Sequence, residues 1–129
     1  MVKRITSDSL FEAKLGYARA IIDGDMVHVS GTTGFDCVKQ EMPEDPATQA
    51  RNAFETISKA LNDAGASLSD TVRVRYYFTD VAFVDPCAPV LAEYLGDARP
   101  AATLVIAQLI DPKMKVEIEL TARIGAHTS

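Results

Sequence analysis

Residues 114–123 read MKVEIELTAR, and this stretch decides the class of the fold. Val116, Ile118, Leu120 and Ala122 alternate with Lys115, Glu117, Glu119 and Thr121. Successive side chains of a strand point to opposite faces, so the pattern predicts a strand with one apolar and one polar face. Residues 72–79, VRVRYYFT, repeat it, with Val72, Val74, Tyr76 and Phe78 on one side and Arg73, Arg75, Tyr77 and Thr79 on the other. Two strands of this kind need a covering layer on the apolar side only.

The cover lies between and before them. Residues 46–64 place Ala50, Ala53, Phe54, Ile57, Ala60, Leu61 and Ala64 at helical spacing, which makes one apolar stripe. Asp45 suits the N-cap, Pro46 the first helical position and Gly65 the stop. A second helix is expected from Asp85 as cap and Pro86 at its first position, through Val90, Leu91, Tyr94 and Leu95, to Gly96. Upstream, residues 17–22 (YARAII) and 26–30 (MVHVS) flank Asp23-Gly24-Asp25 and read as a hairpin, because Asp-Gly tolerates the positive φ of a tight turn. Residues 32–44 read as a loop, and residues 102–109 (ATLVIAQL) as a further strand. The order ββ(β)αβαββ predicts an α+β fold over residues 1–129 as one domain, with two helices on one face of a mixed sheet.

Composition narrows the function classes. The chain has 129 residues, 47% of them hydrophobic, and a formal net charge of −5. A surplus of acid argues against a nucleic acid partner, which needs Lys and Arg to displace counterions from phosphates. Cys37 and Cys87 are far apart and are expected to be reduced thiols. No apolar run approaches the ~18 residues of a membrane span. The opening MVKRITSDSL has no apolar leader core, so a cytoplasmic location is expected.

Familiar catalytic signatures are absent: no phosphate-binding glycine loop, no HExxH, no GxSxG. His28 falls in a strand and His127 in a tail expected to fray, with no ligand spacing between them, so no metal is expected. Cys87, in the first turn of a helix, is the thiol a helix dipole would activate, and a passive thiol is the competing reading. Glu117 is the notable carboxylate. It either holds a water and moves protons in a cleft, or it is one of a row of strand charges paired with Arg73 or Arg75. Likewise the charged sheet face either meets solvent or meets other subunits.

Taken together, several segments resemble the reactive-intermediate deaminase (Rid, YjgF-like) family, also labelled endoribonuclease L-PSP. They are Gly16-Tyr17-Ala18-Arg19-Ala20, Val27-His28-Val29-Ser30-Gly31, Gln49-Ala50-Arg51-Asn52-Ala53, Ala64-Gly65-Ala66-Ser67-Leu68-Ser69-Asp70, Phe78-Thr79-Asp80, Arg99-Pro100-Ala101-Ala102 and Val116-Glu117-Ile118-Glu119. The resemblance spans Gly16 to Arg123. It implies a chorismate-mutase-like fold, a homotrimer with a central β-barrel, and a small-molecule ligand in clefts between subunits. It also implies hydrolysis of imines and enamines to 2-keto acids and ammonia, with no cofactor.

Residue by residue, the resemblance assigns Tyr17 to the cleft tyrosine and Glu117 to the glutamate that positions water. It assigns Ser30 and Gly31 to the strand end that shapes the cleft. The arginine that grips a substrate carboxylate falls on Ala102 (or Ala101), and a cysteine-like position two further on falls near Thr103 or Leu104. An alanine cannot replace a bidentate guanidinium, and loss of such a partner typically costs about 2–5 kcal/mol. Arg99, close before Ala102, is the candidate substitute, with Arg19 and Arg51 as others from a neighbouring subunit. Three functions therefore stand open: hydrolysis of a small C–N compound, noncatalytic binding of a metabolite or partner protein, and a ribonuclease activity that the acidic charge disfavours.

Overall fold

The structure is a computed structural model and describes residues 1–7 and 9–128. Its elements run β1 (Lys3–Ile5), α1 (Leu10–Leu15), β2 (Ala20–Asp23), β3 (Met26–Thr33), α2 (Pro46–Asp63), β4 (Thr71–Phe78), α3 (Val84–Leu95), β5 (Ala101–Ile106) and β6 (Val116–Arg123). The six strands form one mixed sheet in the order β1-β2-β3-β6-β4-β5. It is the expected α+β class.

Both strands that announced the class lie at the centre of the sheet. β6 pairs antiparallel with β3 and with β4, so Leu120 stands between Val29 and Val74. Val116, Ile118, Leu120 and Ala122 are buried, together with Val27, Val29, Val74, Tyr76 and Phe78. Against this face α2 packs Ala50, Ala53, Phe54, Ile57, Ala60 and Leu61. Its start is the expected one: the Asp45 carboxylate accepts from the Thr48 N–H and hydroxyl, 2.9 and 2.8 Å, and Pro46 opens the helix. Gly65, at φ 87°, carries the chain out of it. Removing a ring such as Phe54 from this core would cost about 3–5 kcal/mol. That ring also stacks on Tyr94 of α3 at 4.8 Å.

The Asp-Gly hairpin is confirmed, with Asp23 paired to Met26 and Gly24 at φ 62°. Its arms differ from expectation. The first begins only at Ala20, because residues 17–19 leave the ladder. The second continues to Thr33, into the segment expected to be loop, because Thr32 and Thr33 still pair with Ile118 and Glu117. Between Val29 and Thr32 the register shifts. A bulge of this kind inserts an unpaired residue and bends the strand.

Other boundaries move for local reasons. Asp80, not Asp85, caps the segment leading into α3: it accepts from the Ala82 N–H at 2.8 Å, and one 3₁₀ turn over Val81–Phe83 runs straight into the helix. Asp85 thus falls in the first turn of α3. Val72 is exposed rather than in the apolar row, since the β4–β6 register shifts between Thr71 and Arg73. β5 runs parallel to β4 through the α3 crossover and ends at Ile106. Two elements, β1 and the short α1, were not expected, so the helices number three among the described residues. Finally, His127 is no frayed tail. Its N–H and ring Nδ1 meet the Asp70 Oδ1 at 3.1 and 2.5 Å, and Asp70 is 1% exposed.

Candidate functional site

The site is built at the bulge of β3, on the sheet face that the helices leave open. Gly16 ends α1 in the left-handed region, φ 76°, and turns the chain so that Tyr17, Ala18 and Arg19 run beside β3. The Ser30 N–H donates to the Arg19 carbonyl at 3.0 Å and the Ser30 hydroxyl to the Ala18 carbonyl at 2.7 Å. Ser30 therefore staples the Tyr17–Arg19 segment to the bulge. The Arg19 Nη2 donates to the Gly31 carbonyl at 2.6 Å, and its guanidinium lies 5.7 Å from the centre of the Tyr17 ring.

Glu117 comes to the same place from β6. It pairs with Thr33 of β3 and Tyr77 of β4. A Cβ on Gly31 would lie 2.9 Å from the Glu117 Cδ, so the glycine is what lets the carboxyl stand against the bulge. Burial pushes the Glu117 carboxyl above the usual carboxylate range; the Arg19 charge opposes this and Glu119 adds to it. A carboxyl raised in this way is poised between acid and base forms nearer neutrality. Glu119 is engaged elsewhere, by the Tyr77 hydroxyl and by Arg75 at 3.7 Å. The strand-charge reading thus describes Glu119, whereas none of the ion pairs found among the described residues includes Glu117.

The sequence candidates divide into two groups. Tyr17, Ser30, Gly31 and Glu117 are brought together, and Arg19 joins them within one subunit rather than from a neighbour. Arg99, Ala102 and Thr103 are not. Ala102 pairs with Val74 and Thr103 with Arg75 on the exposed strand β5. Arg99, in the left-handed region at φ 47°, lines an open cavity of about 580 Å³ with Ser69, Thr71, Arg123 and His127. That cavity meets the opposite end of β4 from Tyr77, so Arg99 does not reach the Glu117 of its own subunit. Arg51 is occupied: it grips both oxygens of Glu93, at 2.7 and 3.1 Å.

Cys87 is buried, and desolvation with the nearby Asp45 charge pushes its thiol up to about 11, the opposite of activation. Among the described residues no three His, Cys, Asp or Glu side chains gather to hold a metal. Among the described residues no helix is long and apolar enough to cross a membrane.

Sequence reasoning undervalued Arg19, whose only signal was a charge among apolar residues before a strand. It also missed Gln49, fully buried at the start of α2. Its amide donates to the Pro43 and Lys113 carbonyls at 2.6 and 3.0 Å and accepts from the Lys115 N–H at 2.9 Å. It ties the loops before α2 and before β6 together, and so sets where Glu117 begins its strand.

The profile of the family described as endoribonuclease L-PSP matches residues 7–124. An uncharacterized protein of Streptomyces coelicolor is 33% identical over 126 residues, covering 97% of this chain and 94% of its own. Among solved structures, Rv2704 of Mycobacterium tuberculosis, a member of the YjgF/YER057c/UK114 family, superposes with a TM-score of 0.86 at 38% identity, over 95% of this chain and 99% of that one. A Rid-family protein of Yersinia pestis, YyfA, superposes with a TM-score of 0.85 at 22% identity, over 95% and 99% of the two chains, a likeness of fold.

Proposed function

The chain belongs to the endoribonuclease L-PSP family, the YjgF-like or Rid proteins, and from that premise we propose that it hydrolyses a small imine or enamine in a cleft between subunits of a homotrimer. The observation that carries the reading is the desolvated Glu117 carboxyl beside Tyr17, Arg19 and the Gly31 bulge, with its pKa raised.

The chemistry needs one water and one group that takes and returns a proton. Glu117 removes a proton from water as the water oxygen bonds to the carbon of the imine protonated on nitrogen, and the C=N π pair moves to nitrogen. The carbinolamine then collapses: the Glu117 proton goes to nitrogen, the C–N bond breaks with its pair to the departing ammonia, and the hydroxyl proton passes to that ammonia as the C=O bond forms, which leaves Glu117 a carboxylate again. Proton transfer by a positioned side chain contributes about 10²–10⁴-fold. Tyr17 orients the substrate, and Ser30 and Gly31 shape the wall.

Assembly is supported by β5. This edge strand is exposed on both faces, with Leu104 42% and Ile106 47% accessible on the helix side. A long apolar edge is ordinarily covered, and a neighbouring subunit would cover it while bringing Ala102, Thr103 and Arg99 toward another Glu117. Alanine at the place where the resemblance puts the carboxylate-gripping arginine, Ala102 (or Ala101), favours a second reading: a trimer that binds a small metabolite without turning it over.

A coupled assay separates the two. Imines such as 2-aminoacrylate are generated in place by an amino-acid deaminating enzyme, and keto-acid release is followed. Acceleration that disappears in Glu117→Gln, with assembly unchanged, supports hydrolysis. No acceleration of any imine by a folded trimer sinks it and leaves the binding reading.

A further inference from the structure

Among the described residues the buried side-chain polar atoms found without a partner are the Arg19 Nε and the Thr71 hydroxyl, and of the two residues Arg19 carries a charge. It is 8% exposed, and a guanidinium carries five N–H donors that cannot be neutralised. One hydrogen bond, to the Gly31 carbonyl, accounts for its Nη2, while its buried Nε has no partner. None of the ion pairs found among the described residues includes it. Isolated buried charge is costly and is normally paired. The other buried charged groups are better met: Glu12 accepts from both the N–H and the hydroxyl of Ser7, and Asp70 from the His127 N–H and ring and the Ser67 N–H. A carbonyl brace at Gly31 would need only a neutral donor.

The cations near the site are otherwise spent. Arg75 serves Glu119, and Ala102 has no charge to offer. Arg19 is close enough to Glu117 to act on its charge yet makes no ion pair with it; both meet Gly31, Arg19 through the Nη2 bond to the carbonyl and Glu117 through its carboxyl against the Cα. Tyr17 closes the third side.

Resting on the cleft reading above, we propose that Arg19 is the anion-binding residue of the site, holding the carboxylate of a small 2-imino or 2-oxo acid so that its C2 faces Glu117. The unused edge of the guanidinium takes the carboxylate, the Tyr17 ring lies against the carbon chain, and the charge that the resemblance places at Ala102 (or Ala101) is supplied from the segment before β2.

The test is binding, which needs no turnover. Calorimetric titration of the intact protein compares 2-oxobutyrate with 2-oxobutanamide, a neutral molecule of the same size. The acid is expected to bind about tenfold or more tighter than the amide. Arg19→Met is expected to erase that preference. Arg19→Lys keeps the charge but loses the fork, so it is expected to weaken the acid several-fold, about three- to tenfold, and leave the amide unchanged. If Arg19→Met does not fold, the lysine variant and the isosteric Glu117→Gln decide: removing the neighbouring negative charge should tighten the acid about threefold or more and not the amide. Three results overturn the proposal: no binding of the acid, equal binding of acid and amide, or equal loss of both in the Arg19 variants, which marks a purely structural brace. Failure of the two readings is distinguishable. An inactive protein with an Arg19-dependent preference for the acid sinks hydrolysis and keeps this site. An active one whose KM is unmoved in Arg19→Lys sinks this site and keeps hydrolysis.

Discussion

Glu117 and Gly31 touch across the β3–β6 ladder so closely that a methyl group on the glycine would fall 2.9 Å from Cδ and 3.1 Å from Oε1 of the carboxylate. Gly31→Ala must therefore displace the carboxyl, while the backbone there needs no positive φ. Turnover is expected to fall by about 10-fold or more, since small misplacements of reacting groups are expensive. Stability should change by less than about 1.5 kcal/mol, because a flexible side chain can yield. Steady-state kinetics beside denaturant unfolding checks both.

The raised pKa of Glu117 has a sign that unfolding can read. Its unfolded value is 4.5 and its folded value lies above that. The group's favourable contribution is fully present below the unfolded value and is lost as pH rises through the folded one. Glu117→Gln is therefore expected to raise Tm at neutral pH, with the gain shrinking toward pH 4.5. A flat difference across that range would contradict the burial argument. In the same window the activity of the native protein should rise with pH as the base ionises.

Asp70 gives the opposite sign. Burial pushes its carboxyl up, but the His127 ring and N–H and the Ser67 N–H outweigh it and hold the carboxyl below its usual 3.8. The stability it supplies is present above that value and is lost as pH falls through the lower folded value. Asp70→Ala strands donors from two segments and is expected to cost about 2–4 kcal/mol at neutral pH. His127→Ala, on a half-exposed side chain, is expected to cost about 1 kcal/mol. Urea unfolding of both variants is the measurement.

Gly34 faces the backbone of α2. A Cβ there would meet the Gln49 Cα at 2.3 Å and the Gln49 carbonyl oxygen at 2.4 Å. No rotamer relieves a clash with backbone, so Gly34→Ala is expected to cost about 3 kcal/mol or more. Gln49→Leu, which strands the Pro43 and Lys113 carbonyls and the Lys115 N–H, should cost about 2–5 kcal/mol. Near-native unfolding midpoints in either would show that the loops before α2 and β6 are tied elsewhere.

The central strands, α2 with its Asp45 cap and the Asp23-Gly24 hairpin were legible because each rests on a rule of short range: period two, period 3.6, or a turn residue. Boundaries failed where a short-range rule met a register shift. Val72 obeys the alternation in sequence, yet the shift beside it turns it outward. Asp85-Pro86 looks like a helix start, yet Asp80 and the following 3₁₀ turn begin it earlier.

The sequence alone determined the central strands, their apolar and polar faces, the helix that covers one of them, and Tyr17, Ser30, Gly31 and Glu117 as candidates through resemblance. Tertiary structure alone decided which side chains meet. Alternation says which face a residue occupies but not what stands opposite. The bulge between Val29 and Thr32 sets that, bringing the Gly31 carbonyl to Arg19 and the Glu117 carboxyl to Gly31. The same holds for Gln49 and His127, each joined to residues more than fifty positions away in the chain. Such contacts leave no period in a sequence. They arise because a buried polar group must find its partner wherever the fold places one.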